Sequence, residues 1–164
     1  CSTLRDRALV EFLYSTGVRV SELVALNVGD IEMGRQELIV YGKGSKERKT
    51  YLTDSAKFYL LRYLQTRSAE EGINDRPLFV TLDKPHDRLT VAGVQYMLRQ
   101  LGQRAGVENV HPHRFRRTIA TDLLGRGMPI EQVKEFLGHE KLDTTMIYCT
   151  VKEDSVRASH KKYA

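Results

Sequence analysis

The sequence has few of the features that mark a secreted, membrane-bound or metal-stabilised protein. Its 164 residues include two cysteines, Cys1 and Cys149, whose spacing fits neither a disulfide framework nor a CxxC zinc site. No apolar run approaches the roughly 20 residues that a membrane helix needs, and no signal peptide opens the chain. There is no internal repeat and no tight acidic cluster of the kind that two-metal nucleases use. We therefore expect a cytoplasmic protein without a membrane partner.

Positive charge is what the chain has in excess. It contains 26 Lys and Arg residues against 21 Asp and Glu residues, which gives a formal net charge of +5 and a pI of about 9.2. Hydrophobic residues make up 41% and charged residues 29%, a globular composition in a chain long enough for one domain with a core. A basic balance favours a polyanionic partner, although many soluble proteins are equally basic.

The spacing of apolar residues predicts a mainly α-helical domain with a small sheet, an α+β fold. Apolar residues at i, i+3 and i+4 indicate helices, and short runs rich in Ile, Val, Tyr and Thr indicate strands. Phe58, Leu61 and Leu64 share one face of the predicted third helix. The predicted helices are 3–15, 20–26, 54–68, 90–106, 112–125, 129–137 and 141–149, and the strands of the expected three-stranded antiparallel sheet are 30–33, 37–41 and 49–53.

Five short motifs hold the residues that could do chemistry. They are TGVRVSEL (16–23), GKGSKERK (42–49), HPHRFRRT (111–118), LGHEK (137–141) and TTMIYCTV (144–151). Together they supply two guanidiniums, one ammonium, two imidazoles and one phenol, from Arg19, Lys43, His113, Arg116, His139 and Tyr148. These groups suit an attack on a phosphodiester without a metal. Each motif alone is weak evidence for this chemistry, whereas the order and spacing of all five are strong evidence for it.

The third motif places His113 and Arg116 on one face of a predicted helix, because residues at i and i+3 are neighbours there. A guanidinium is a planar donor fork that fits phosphate oxygens, and an imidazole exchanges a proton near neutral pH. Arg114 and Arg117 flank this pair and could face DNA. The alternative is a basic helix end that contacts only solvent.

The first two motifs each offer a cation at a turn. Arg19 could point at a phosphate while Glu22, one helical turn later, orients it, or the two could form a surface ion pair of little consequence. Lys43 lies between glycines that allow a close approach to another backbone, although a lysine in such a turn is usually only solvated. The second motif has further basic residues that could contact DNA: Lys46, Arg48 and Lys49.

Tyr148 is one of eight tyrosines, and most tyrosines are packing residues. A free phenol titrates near ~10, and neighbouring arginines and a lysine would favour its phenolate form during an attack. A phenol is also a tolerable leaving group, so a covalent link through it could be reversed.

Two alternatives from other classes of protein remain open. His111, His113 and His139 could belong to a metal-dependent nuclease, although zinc sites on helices prefer histidines at i and i+4. The helices at 112–125 and 129–137 could instead form a helix-turn-helix regulator, which would need neither the lysine of the second motif nor the tyrosine of the fifth.

In the order and spacing of these motifs the chain resembles the catalytic domain of the tyrosine recombinases, the family of phage and conjugative-transposon integrases and bacterial Xer-type recombinases. The resemblance runs from about residue 3 to residue 151. It implies the tyrosine recombinase catalytic-domain fold and assigns the family's catalytic positions to Arg19, Lys43, His113, Arg116, His139 and Tyr148. In this assignment, His139 would hydrogen-bond the phosphate. No metal or other cofactor is implied.

The resemblance also implies a mechanism of the kind used by type IB topoisomerases. Tyr148 attacks the scissile phosphate and leaves a 3′-phosphotyrosine and a free 5′-hydroxyl. Arg19 and Arg116 hold the non-bridging oxygens, Lys43 protonates the leaving oxygen and His113 assists as a base. Attack by the 5′-hydroxyl of a partner strand reverses the step, and two rounds of exchange pass through a Holliday junction.

The chain departs from the family pattern in three respects. Phe115 and Arg117 replace the Leu and the second His of the usual HxLRH box, neither of which is a catalytic position. The N-terminal core-binding domain that completes a clamp around DNA has no counterpart, so we expect residues 1–164 to be a single catalytic domain that binds DNA weakly by itself. The expected partner is double-stranded DNA, on which the full-length bacterial protein would form a homotetramer. The isolated domain would be monomeric, and the tail 152–164 would dock on a neighbouring protomer.

Overall fold

The computed structural model describes residues 3–42, 47–68 and 76–139. Within them the order of elements is α1 (Leu4–Thr16), α2 (Val20–Ala25), a 3₁₀ turn (Val28–Asp30), β1 (Ile31–Glu32), β2 (Glu37–Tyr41), β3 (Glu47–Tyr51), α3 (Asp54–Ser68), α4 (Val91–Arg104), α5 (Pro112–Gly125) and α6 (Ile130–Leu137). This confirms the mainly helical fold with a small antiparallel sheet. The helix expected at 141–149 and the tail 152–164 lie outside the described residues, as do Lys43, Lys46 and Tyr148.

Helix α1 lies at the centre of the fold and packs against α3, α5 and β3. The hydroxyl of Thr3 accepts a hydrogen bond from the backbone N–H of Asp6 and so caps its first turn. Leu9, Phe12 and Leu13 are fully buried in the main core. The helix ends at Gly17, whose φ of 58° is left-handed and turns the chain toward α2.

The three strands form an antiparallel sheet in the order β1-β2-β3. Leu38 and Val40 of β2 and Thr50 of β3 are buried on one face. Arg48 is the register partner of Val40 and therefore shares this inner face. The third strand starts two residues earlier than the predicted 49–53, because pairing with β2 extends through the charged residues Glu47 and Arg48.

The apolar residues of α3 do not face inward as their spacing suggests. Phe58 is 53% exposed and Leu61 is 38% exposed, whereas Ala56 and Leu60 are fully buried. Ala56 and Leu60 belong to the main core, and α1 is the principal packing partner of α3. The sequence pattern alone could not reveal that contact, so the predicted apolar face is wrong at two of its three positions.

A second, smaller core joins α5 to α6. It consists of the buried residues Ile119, Ala120, Val133 and Leu137. Gly17 touches this cluster closely, since a Cβ atom there would lie 2.9 Å from Leu137 Cδ2. The end of α1 is thereby held against the end of α6.

In the part of the chain that the structure describes, no helix is both long and apolar enough to cross a membrane.

Candidate active site

Three arginines from three different elements converge on the C-terminal end of α6. Arg48 Nε donates to the carbonyl of Phe136 (3.1 Å), Arg116 Nη2 donates to that of Leu137, and Arg19 Nη2 donates to that of Gly138 (3.0 Å). Carbonyls in the last turn of a helix have no partner within the helix and carry its negative dipole end. The arginines satisfy these groups and place three positive charges around one point.

Arg116 is the buried part of this cluster. It lies on α5 with 3% of its surface exposed, and its Nη1 donates to the carbonyl of Gly17 while Nη2 binds α6. One side chain therefore ties together the ends of α1 and α6. A guanidinium held in a poorly solvated place interacts strongly with an incoming anion.

Arg19 is the solvent-facing part of the cluster. It is the N-cap residue of α2, and 41% of its side chain is exposed. Glu22 binds it twice, because its carboxylate accepts from the Arg19 backbone N–H and from Nη1, both at 2.8 Å. The structure thus places Glu22 where the sequence suggested an orienting carboxylate.

Arg48 has a different environment from the one that the sequence suggested. Its Nη1 and Nη2 bind the two oxygens of Glu22 at 2.9 and 2.8 Å, and only 8% of its side chain is exposed. These contacts favour a role inside the site over the DNA contact predicted from the sequence. The strand alternation that turns Arg48 inward was missed because the predicted strand began at Lys49.

His139 follows Gly138 directly and is 8% exposed. Burial lowers its pKa, and the positive charges of Arg116, Arg19 and Arg48, followed by His113, lower it further, to about 4. The ring is therefore neutral at physiological pH. A neutral imidazole keeps one donor and one acceptor nitrogen, so it can hydrogen-bond a phosphate without adding charge.

His113 lies in the first turn of α5 and is exposed. Desolvation lowers its pKa, with additional effects from the charges of Arg116, His111 and Arg117. It is therefore an unprotonated imidazole near neutral pH, the form that can accept a proton.

An open basic groove leads away from His113 along α5. It has a volume of about 450 Å³, and its lining includes Arg114, Arg117 and Thr118. Arg114 donates to the carbonyl of Glu108, and both arginines remain exposed. Lys49 is exposed on the outer face of β3, where its ammonium lies 3.4 Å from the Glu37 carboxylate.

The three histidines of the metal alternative do not assemble. The rings of His111 and His113 are stacked with their centroids 6.5 Å apart. Among residues 3–42, 47–68 and 76–139 no group of three or more His, Cys, Asp or Glu side chains is placed to hold a metal ion.

Known proteins resemble this chain in both sequence and fold. Residues 1–154 match the model of the phage integrase family. Tyrosine recombinase XerC of Leptospira interrogans is 39% identical over 162 residues, which cover 98% of this chain and 51% of the relative. That of Oceanobacillus iheyensis is 40% identical over 162 residues, covering 96% and 53%. The chain thus spans about half the length of the curated relatives it matches.

Solved structures give the same result. XerA recombinase superposes with a TM-score of 0.84 at 31% identity, covering 99% of this chain and 59% of the other. XerH site-specific recombinase bound to difH substrate, in a pre-cleavage complex, superposes with a TM-score of 0.77 at 26% identity, covering 96% and 46%. The resemblance seen in the motifs is confirmed, and the chain belongs to the phage integrase family of tyrosine recombinases.

Proposed function

We propose that this chain is the catalytic domain of a site-specific DNA recombinase that cleaves and rejoins strands through a 3′-phosphotyrosine. The observation that carries the proposal is the convergence of Arg19, Arg116 and neutral His139 at the end of α6. Two guanidiniums and one uncharged donor suit a phosphodiester that gains negative charge during attack. The XerC relatives are tyrosine recombinases by name, so the helix-turn-helix regulator is not favoured.

The proposed reaction is a reversible exchange of one ester for another. The Tyr148 oxygen bonds to the phosphorus, and the bond from phosphorus to the 5′ oxygen breaks. His113, whose lowered pKa keeps it unprotonated, accepts the phenol proton, and Lys43 protonates the departing oxygen. A 5′-hydroxyl of a partner strand then displaces the tyrosine, so the energy of the phosphodiester is conserved.

Arg19 and Arg116 would each bind a non-bridging oxygen of the phosphate. Arg116 is fixed by the carbonyls of Gly17 and Leu137, and Arg19 by Glu22 and Gly138. Both guanidiniums are therefore oriented before the substrate arrives. Preorganised charge of this kind stabilises a transition state without reorganisation during the reaction.

Double-stranded DNA is the proposed partner, since the XerH relative was solved bound to its difH substrate. A homotetramer on DNA, with exchange through a Holliday junction, belongs to the same proposal. So do a cytoplasmic location and a separate DNA-clamping domain within the additional length of the relatives.

The proposal is tested by trapping the covalent intermediate. The chain is incubated with a nicked suicide duplex in EDTA at saturating DNA, and a denaturing gel separates the products. We expect a protein–DNA band that is absent from Tyr148→Phe, because the phenol oxygen forms the bond. Arg116→Ala should reduce the band by about 100-fold or more, the range for loss of a preorganised donor.

Tyr59→Phe is a matched control, since it removes a phenol hydroxyl on α3 and should leave the band unchanged. Multiple-turnover cleavage that requires a divalent metal would exclude the proposed reaction. A band that persists in Tyr148→Phe would assign the nucleophile to another residue.

A further inference from the structure

We propose that Arg48 is a positioning residue for strand cleavage, which holds Arg19 and the α6 end that leads into His139 in their working geometry. The inference rests on the proposed function, because it concerns the phosphate-binding groups of that same site. It replaces the DNA contact that the sequence suggested for Arg48 with a role inside the protein.

Arg48 and Arg19 share one carboxylate, that of Glu22. The Glu22 carboxylate accepts hydrogen bonds from both terminal nitrogens of Arg48. It also accepts hydrogen bonds from Nη1 and from the backbone N–H of Arg19. Only 4% of the Glu22 side chain is exposed. Burial would raise the pKa of Glu22, but hydrogen bonds from Arg48 and Arg19 hold it below its ordinary value. The orienting carboxylate of Arg19 therefore depends on Arg48 for its charge and its direction.

The fold leaves space for Arg48 beside Gly138. Gly138 has a φ of 64°, and a Cβ atom on it would lie 2.6 Å from Arg48 Cδ and 3.1 Å from Arg48 Nε. The same Nε donates to the carbonyl of Phe136. Arg48 thus passes directly over the backbone that joins α6 to His139, and the missing side chain of Gly138 makes that passage possible.

Arg48 reaches the site from strand β3 of the sheet. Arg48 is paired in register with Val40 on the inner face of β2 and β3, and it lies five residues after Lys43 in the sequence. Its three nitrogens are bound to Glu22 and Phe136. Since these contacts lead to Arg19 and α6, the loss of Arg48 should impair phosphate activation rather than protonation of the leaving group.

The experiment compares Arg48→Lys and Arg48→Met with Arg7→Met. Arg7 is a matched control, because it also pairs with a glutamate (Glu11, 2.7 Å) but is 45% exposed on α1. Single-turnover formation of the covalent band is measured at saturating DNA, and DNA affinity is measured separately. We expect both Arg48 variants to bind DNA within about twofold of wild type. They should react about 10- to 100-fold more slowly, as is typical when an orienting partner is lost, whereas Arg7→Met should match wild type.

A second substrate carries sulfur in place of the 5′ bridging oxygen at the scissile phosphate. A thiolate departs without protonation because a thiol is far more acidic than an alcohol, so this substrate should restore the rate of Lys43→Ala. We expect no such recovery for Arg48→Met or for Arg116→Ala. Recovery of Arg48→Met would overturn the inference, because it would show that Arg48 acts through Lys43.

A double-mutant cycle tests the route through Glu22 and guards against misfolding. Arg48→Met leaves the buried Glu22 carboxylate with Arg19 as its remaining hydrogen-bonded cation, and losing a partner of a buried charge destabilises proteins. Arg48→Met combined with Glu22→Gln removes that buried charge as well. If Arg48 acts through Glu22, the double variant should lose no more rate than the larger of the two single losses. Thermal unfolding establishes that each variant is folded.

The failures of the two proposals are distinguishable. Absence of a Tyr148-dependent band in wild type would overturn the proposed function and, with it, the role of Arg48. A normal wild-type band with an unaltered Arg48→Met rate would overturn the role of Arg48 alone. The role of Arg48 would also be overturned if Arg48→Met bound DNA more weakly but reacted at the wild-type rate at saturating DNA. That result would indicate that Arg48 contacts DNA.

Discussion

At the scale of single residues, His139 shows how neighbours determine the chemistry of a group. Its ring is buried, and three arginines surround it from the N-cap of α2, from β3 and from α5, the helix that also carries His113. Each of these influences disfavours the imidazolium. The result is a histidine that stays neutral across the physiological range, although its ordinary pKa lies within that range.

This shift predicts how stability depends on pH. The pKa of His139 is about 4 in the folded protein but ordinary, about 6.5, in the unfolded chain. Between these values the unfolded chain binds a proton that the folded protein does not, so stability decreases as pH falls from 6.5 toward 4. His139→Gln should therefore flatten the profile of unfolding free energy against pH in this window, as measured by urea titration.

The comparison with His113→Gln isolates the effect. The pKa of His113 is also lowered, so this variant should flatten the profile as well, but less, because the His113 ring is exposed. Parallel profiles for wild type and His139→Gln would contradict the assignment of His139 as a buried neutral ring.

At the scale of elements, the end of α6 is the feature on which the site depends. Its last carbonyls bind three arginines, and Gly138 gives the left-handed turn that leads to His139. Gly106 has the same φ of 64°, but a Cβ atom there would meet nothing within 4 Å. An alanine at position 106 would therefore introduce backbone strain alone, whereas an alanine at position 138 would introduce the same strain and a steric clash with Arg48.

We expect Gly106→Ala to lower the free energy of unfolding by about 1 to 2 kcal/mol, the cost of a left-handed alanine. Gly138→Ala should lower it by at least about 1 kcal/mol more, because Arg48 is pinned at its far end and cannot move aside. Only Gly138→Ala should also slow formation of the covalent band. Urea titration and the suicide-substrate assay measure both effects, and equal losses for the two variants would contradict the model of a glycine that makes room for Arg48.

The same elements show what the sequence could and could not predict. Local signals predicted α1 and α5 well, since Thr3, Gly17 and Pro112 act on their own turns. The inward face of α3 could not be predicted, because packing on α1 decides it. The inward direction of Arg48 depends on the register with β2, a non-local property that the charged start of the strand concealed. The order of the motifs predicted one site for Arg19, Arg116 and His139, whereas the hydrogen bonds of both arginines to carbonyls at the end of α6 depend on the fold.

At the scale of the whole molecule, the distribution of charge matters more than the net value of +5. The basic groove begins at His113 and continues past Arg114 and Arg117 to Asp122, whose carboxylate accepts a hydrogen bond from the Tyr14 hydroxyl. Its positive residues lie near the proposed reaction centre, and its acidic residue lies at the far end of the helix. This arrangement would lead a DNA backbone toward the cluster of arginines.

The salt dependence of DNA binding tests this direction. Each phosphate neutralised by a protein cation contributes about 0.9 to the slope of log affinity against log salt. Arg117→Ala should therefore weaken binding and reduce the slope by about 1. Arg62→Ala removes the same charge from the exposed side of α3, beside Phe58, and should leave the slope unchanged. Titration of a labelled duplex between about 50 and 200 mM salt gives both slopes. Equal reductions would mean that DNA responds to the overall charge of the protein, whereas a reduction confined to Arg117→Ala would place a phosphate in the groove of α5.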